Sequence, residues 1–235
     1  MITTIREHTF FRGPLRPSSY VVDLGANRGE FAREIVRRYG VSCVAVEPTA
    51  ELARGIAGDG VRVRQVAIAD HPGDLLLYVA ENPEASSVVV GADQAVRTET
   101  VPGVPLAALL EQEKIGSVAL AKVDIEGAEL GMFMHTPDEV LRRFAQFTVE
   151  FHTFTGALAE GDVRRISARL RGLGFDAIRF SAGDHNWLFF NPDRCGVHGP
   201  ELLLTRYVIR NVRGAAIRVA RRFSWSVFEG NSVRQ

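Results

Sequence analysis

The sequence predicts an α/β fold: a Rossmann-like, seven-stranded sheet with helices on both faces and an arm at each end. Three observations carry that prediction. Short β-branched runs alternate with helically periodic segments from Tyr20 onward, a glycine-rich turn follows the first run, and acidic residues stand just past the ends of successive apolar strands.

Residues 1–19 carry Arg6, Arg12 and Arg16 with Pro14 and Pro17, and read as an arm or short helix ahead of a boundary near Ser18. The main domain is expected over 20–194 and a basic extension over 195–235. Residues 20–24, 42–46 and 61–67 read as strands. Phe31, Ile35, Val36 and Tyr39 mark one intervening helical face, and Leu52, Ile56 and Ala57 another. Such strand–helix–strand repetition implies parallel strands joined by right-handed crossovers.

The second half repeats the pattern. A helix is expected over 105–114, a buried strand over 118–123, a helix over 138–143 and a strand over 147–151. A helix over 162–171 follows, with Ile166 and Leu170 facing the core. Strands at 175–180 and 187–190 close the sheet as an antiparallel pair around Ala182-Gly-Asp184. Between them, 73–102 is less regular, with one strand-like run at 75–79 and a Ser86-Ser87 pair.

Composition narrows the function. The 28 basic residues of the 235-residue chain equal its 28 acidic ones, so the whole molecule has no electrostatic reason to seek nucleic acid. Cys43 sits in an apolar run and Cys195 in a Gly/Pro-rich segment, which suits a reducing, cytoplasmic setting better than a disulfide framework. Residues 1–12 lack the apolar core of a signal peptide, and no apolar run reaches membrane-spanning length.

The turn Asp23-Leu-Gly-Ala-Asn-Arg-Gly29 outlines a cofactor pocket, because Gly25 and Gly29 let a ligand lie against the main chain. It departs from the dinucleotide fingerprint, with Asn27 in place of the second glycine and Asp23 two residues before Gly25, where an acid would repel phosphate. An acid there suits a positively charged ligand, such as the ammonium group of S-adenosylmethionine. That disfavours one rival reading, an NAD-dependent oxidoreductase, and the intact acids at the strand ends disfavour the other, a non-catalytic cofactor-domain scaffold. Glu47 lies 18 residues beyond Gly29, close to the spacing at which an acid grips ribose hydroxyls. Asp70, before His71-Pro-Gly-Asp74, reads as a turn residue.

Asp124, Glu126 and Glu129 follow the fourth strand, and three acids in six residues invite a Mg²⁺-like cation or the charged end of the cofactor. Alternation places Glu150 and His152 on one face of the next strand, beside Asp124. His152 is the expected proton acceptor, with His185 second. The other four histidines, His8 among them, read as surface or core residues. Phe154, Trp187 and Trp225 are aromatic residues able to stack on sugars. In the tail, Ile209, Val212, Ala216, Val219 and Phe223 form an apolar stripe flanked by arginines, fit to pack on the domain, to pair subunits as a homodimer or to lie on an anionic membrane.

Taken together, Val22-Asp-Leu-Gly-Ala-Asn-Arg-Gly-Glu-Phe31, Val46-Glu-Pro48, Val66-Ala-Ile-Ala-Asp70, Ser86-Ser87, Val104-Pro-Leu106, Lys122-Val-Asp-Ile-Glu-Gly-Ala-Glu129 and Val149-Glu-Phe151 resemble the FkbM family of S-adenosylmethionine-dependent methyltransferases. The resemblance spans roughly residues 20–190. It implies a seven-stranded methyltransferase sheet and a cofactor held by Asp23, Gly25, Ala26, Asn27, Gly29, Glu47, Ala67 and Asp124. It further implies O-methylation of a carbohydrate or polyketide hydroxyl. Some similar sugar methyltransferases need a divalent ion and a strand-end histidine, which correspond here to Asp124 and Glu150 as Mg²⁺ ligands and to His152, with Asp124 and His152 as the catalytic pair.

Overall fold

Two strands stand where the sequence suggested an arm or short helix: β1 (Ile2–Ile5) and β2 (His8–Phe11) pair as an antiparallel hairpin. All four residues of β2 are buried, so the period-2 alternation that usually reveals a strand is missing from it. The structure is a computed structural model, and it describes residues 1–80, 95–153, 158–179 and 185–199.

The first half of the domain follows as β3 (Tyr20–Leu24), α1 (Glu30–Tyr39), β4 (Ser42–Val46), α2 (Ala50–Gly55) and β5 (Val61–Arg64). α1 buries Phe31, Ala32 and Ile35 on one side, and ends where Gly40 turns left-handed at φ 64° and donates its N–H to Val36 O. The expected strand over 61–67 is broken. β5 stays in the main sheet, whereas β6 (Ala67–Ile68) leaves it to pair with β8 (Ala95–Val104), which in turn pairs antiparallel with β7 (Gly73–Ala80). This second, three-stranded sheet has its own core of Ala67, Leu77, Val79 and Val101. Ser86-Ser87 lies outside the described residues.

The second half supplies α3 (Leu106–Gln112), β9 (Leu120–Val123), α4 (Glu129–His135), α5 (Asp138–Leu141), β10 (Gln146–Glu150), α6 (Glu160–Gly172), β11 (Asp176–Arg179), β12 (Asn186–Phe190) and α7 (Pro192–Cys195). The main sheet has seven strands in the order β11-β12-β10-β9-β3-β4-β5, with β12 antiparallel to both its neighbours and every other pairing parallel. Strand order reverses between β3 and β9, and their carboxyl ends are where such sheets bind ligands.

Alternate residues of the strands feed two cores. Val22, Leu24, Val44, Val46, Ala121, Val123, Phe147 and Val149 face α3, α4, α5 and α6. Val21, Cys43, Ala45, Leu120, Leu188 and Phe190 face α1 and the amino-terminal hairpin. The hairpin therefore covers sheet surface that would otherwise need a helix. Phe10 meets Phe31 and Tyr39 edge-on, Phe11 contacts Phe190 at 4.7 Å between ring centres, and the fully buried Gln146 amide clasps the Phe11 backbone. Its Oε1 accepts the Phe11 N–H and its Nε2 donates to the Phe11 carbonyl, each at 2.8 Å. Gln146→Leu strands both backbone groups in an apolar layer, so we expect a loss of about 2–4 kcal/mol of stability in urea titrations, at about 1–3 kcal/mol per unsatisfied group. Wild-type stability would mean that the hairpin is held by its phenylalanines alone.

Candidate active site

The turn from β3 to α1 is drawn over the end of β4, because Gly25 N and Ala26 N both donate to Val46 O, at 3.0 and 2.9 Å. Gly25 lies at φ 76°, and a Cβ there would sit 1.7 Å from the Asp124 carbonyl oxygen, so the end of β9 closes directly onto the loop. Asn27, at φ 52°, gives its N–H to Glu47 Oε2 at 2.8 Å, while its own buried Oδ1 has no hydrogen bond among the described residues. Glu47 Oε1 accepts Thr49 N at 2.8 Å. Burial raises the Glu47 pKa against these two donors. Both of its oxygens thus hold main-chain N–H groups, each with a second lone pair left for a ligand hydroxyl.

Asp23, which the sequence reading gave to a ligand's positive charge, faces a resident lysine. It is fully buried, and the ammonium of Lys122 stands 3.3 Å from its Oδ1. That contact lacks hydrogen-bond geometry, so neither Asp23 oxygen has a hydrogen bond among the described residues. Burial pushes Asp23 up to about 6, opposed by Lys122. Lys122 Nζ also donates to the Gly25 carbonyl and lies 3.1 Å from Asp124 Oδ2. Burial pulls the lysine down, but the two carboxylates outweigh it and hold its pKa above the ordinary value. Lys122 is the residue that sequence reasoning missed, although a lysine inside the buried run of β9 signals a charge with resident partners.

His152, at 3% exposure, sits among three acids. Its Nδ1 is 2.7 Å from Glu129 Oε1, and its Nε2 is 3.4 Å from Asp124 Oδ1 and 3.3 Å from Glu126 Oε2. Burial lowers its pKa, but the bonds to Glu126 and Glu129 prevail and carry it to about 10. With no cation beside it, the ring holds both of its protons at neutral pH.

Glu150 turns the other way, into a cavity of about 370 Å³ walled by Asn27, Lys122 and Asp124 and, from the hairpin, by Arg6, Glu7 and His8. Acceptor atoms of His8, Asp124 and Glu150 lie within 4.8 Å of one another. Burial and then Asp124 raise Glu150 to about 7, and among the described residues it has no hydrogen bond or ion pair. His8, read from the sequence as a bland residue, is buried beside Thr148 Oγ1 at 3.4 Å and is held neutral by burial, at about 3. Burial also raises Asp124, but Lys122 above all, with His152, outweighs that and keeps it below its ordinary value. Arg6 pairs with Glu30 at 2.6 Å, tying the hairpin turn to α1.

The sequence profile of the Methyltransferase FkbM domain matches residues 23–177, more than half of the chain. The chain belongs to the FkbM methyltransferase family. No curated protein matches it. Solved structures match at low identity. One is the complex of the Haloferax volcanii Trm112 methyltransferase activator with a protein assigned as a methyltransferase, at 12% identity, covering 77% of this chain and 86% of that one with a TM-score of 0.38. Another is a Galdieria sulphuraria protein assigned as a sarcosine dimethylglycine methyltransferase, at 13% identity, 71% and 56% coverage and a TM-score of 0.34. A Streptococcus thermophilus protein assigned as a hemolysin matches at 12% identity, 89% and 70% coverage and a TM-score of 0.42.

The match begins at Asp23, so the hairpin bearing Arg6, Glu7 and His8 lies ahead of the matched residues. Within the domain, Ala67 is buried in β6 opposite Gly103 and is not among the residues lining the cavity. Asp70 pairs with His71 at 2.5 Å, as a turn residue would. His185 Nδ1 meets Thr153 Oγ1 at 3.0 Å, and Trp187 stacks on Phe189 beneath the Arg179 guanidinium. Phe154, the 182–184 turn, Trp225 and the apolar stripe of the extension lie outside the described residues. No helix among the described residues is long and apolar enough to cross a membrane.

Proposed function

We propose that this FkbM methyltransferase transfers the methyl group of S-adenosylmethionine to a hydroxyl of a sugar, glycoside or polyketide-type small molecule. The observation that carries the reading is the cavity at the strand ends, where Asp124 and Glu150 stand beside Ala26 and Asn27 of the turn from β3 to α1. The donor fits the residues present. The main chain of Gly25, Ala26, Asn27 and Gly29 would cradle its methionine part, Glu47 would take its ribose hydroxyls, and the acceptor-rich surroundings, including the orphaned Asn27 Oδ1, suit a cationic ligand carrying N–H and O–H donors. Bound, it supplies an already activated methyl group, so the protein must align the acceptor and manage one proton.

Asp124 would orient the acceptor hydroxyl, and Glu150 would take its proton. Glu150 has this role because its carboxylate faces the cavity without a partner among the described residues. The hairpin supplies one wall of the cavity through Arg6, Glu7 and His8. The buried free thiols of Cys43 and Cys195 support a cytoplasmic setting.

Calorimetry with S-adenosylmethionine, followed by transfer of its labelled methyl group to a panel of glycosides and polyketide alcohols, tests the reading. Uptake of NAD with none of S-adenosylmethionine would overturn it. On any acceptor the panel identifies, Glu150→Gln should slow turnover about 10²–10⁴-fold, the usual contribution of a general base, with donor affinity within about twofold of wild type.

A further inference from the structure

Asp124 faces two groups of side chains, and the one away from the cavity has the construction of a metal site. Ligand atoms of Asp124, Glu126 and His152 all lie within 4.8 Å of one another. We infer that these three residues bind a divalent cation, with Glu129 aiming the imidazole.

Four observations support the inference. The His152 Nε2 looks between two carboxylates, 3.4 Å from Asp124 Oδ1 and 3.3 Å from Glu126 Oε2. Neighbouring ligands of an octahedral ion with bonds of about 2.1 Å lie about 3 Å apart, so an ion needs these atoms to draw only slightly closer together. The other ring nitrogen is already fixed, since Nδ1 lies 2.7 Å from Glu129 Oε1, the arrangement by which a carboxylate sets the tautomer and direction of a ligating histidine. Glu129 is fully buried, and its Oε2 has no hydrogen bond among the described residues, so the supporting acid sits at a site short of positive charge. Asp23, Asp124, Glu126 and Glu129 stand against one lysine and one imidazole, and a divalent ion redresses that excess.

The rival group, His8 with Asp124 and Glu150, lacks such support, because the His8 Nδ1 meets the Thr148 hydroxyl at 3.4 Å and not a carboxylate. The Mg²⁺ ligands expected from the sequence, Asp124 and Glu150, therefore change by one residue. Glu126 takes the place of Glu150, and His152 becomes a ligand. One imidazole with two carboxylates suits Mn²⁺, which accepts both nitrogen and oxygen.

Titrating Mn²⁺ into the full chain and following the free ion by electron paramagnetic resonance tests this without any acceptor. One ion per chain is expected, with affinity at least tenfold weaker in Glu126→Gln and in His152→Asn and unchanged within about twofold in His8→Asn and Glu150→Gln. Glu126 is part-exposed, so its variant keeps the test alive if His152→Asn fails to fold, and a thermal melt of each variant separates the two cases. No uptake of Mn²⁺ by folded wild type at millimolar concentrations overturns the inference, as does loss confined to the His8 and Glu150 variants. Calorimetry with S-adenosylmethionine on the same sample reports separately on the proposed donor.

Discussion

Gly25→Ala should abolish binding of S-adenosylmethionine and cost about 3–5 kcal/mol of stability, even though it adds a single methyl group. Two penalties combine. A non-glycine residue at φ 76° is strained by about 1–3 kcal/mol, and overpacking costs about 1–3 kcal/mol more. The overlap is with backbone, the Asp124 carbonyl oxygen at 1.7 Å, so no side-chain rotation relieves it. Either the glycine turn or the end of β9 must move, and both belong to the proposed donor site. Gly29→Ala is the control. It has a similar φ of 71°, but its added Cβ meets the Ile56 Cγ2 at 2.7 Å, a methyl that can swing away. We therefore expect Gly29→Ala to cost about 1–2 kcal/mol, mostly strain, and to weaken donor binding without removing it. Urea titration and calorimetry on both variants check the contrast. Equal losses would show that strain alone governs the loop.

The sheet was legible in the sequence because its signals are local. The apolar runs of β3, β4, β9 and β10 are each four or five residues long and almost wholly buried, and polar caps mark where each one ends. The acids past the strand ends were legible for the same reason, and the structure gathers Asp124, Glu126, Glu150 and His152 at one place. Which acid faces which partner was not. Alternation put Glu150 and His152 on one face, yet the chain leaves β10 after Glu150, so the two side chains diverge to opposite sides of Asp124. His8 and Gln146 carry no local mark at all. Their roles arise from a hairpin docking across 135 residues of chain, and only tertiary structure brings those partners together. Lys122 had a signal, a charge within an apolar run, but three nearby acids drew the reading toward an external cation.

The Lys122–Asp23 pair gives the second large effect, because removing one member of a buried ion pair leaves the other uncompensated. Lys122→Met should cost about 3–5 kcal/mol at pH 8. The pH dependence follows from Asp23, which burial already holds near 6, above its ordinary value, against the pull of Lys122. A carboxylate raised in this way binds its proton more readily in the folded state than in the unfolded one. Its favourable contribution is present below the unfolded pKa and is lost as pH rises through about 6. Without the ammonium, Asp23 moves higher still, so the destabilising window widens upward in pH. Lys122→Met should thus recover part of its lost stability between pH 8 and pH 5, narrowing its gap to wild type. Asp23→Asn placed on top of Lys122→Met removes the orphaned charge and should restore about half of the deficit at pH 8, with little pH dependence left in that window. Urea titrations of the three variants at both pH values decide the matter. If Lys122→Met instead weakened further toward pH 5, Asp23 would have to be ionised and stabilised by groups other than Lys122, and the lysine would be a ligand-facing charge in place of the internal counterion described here.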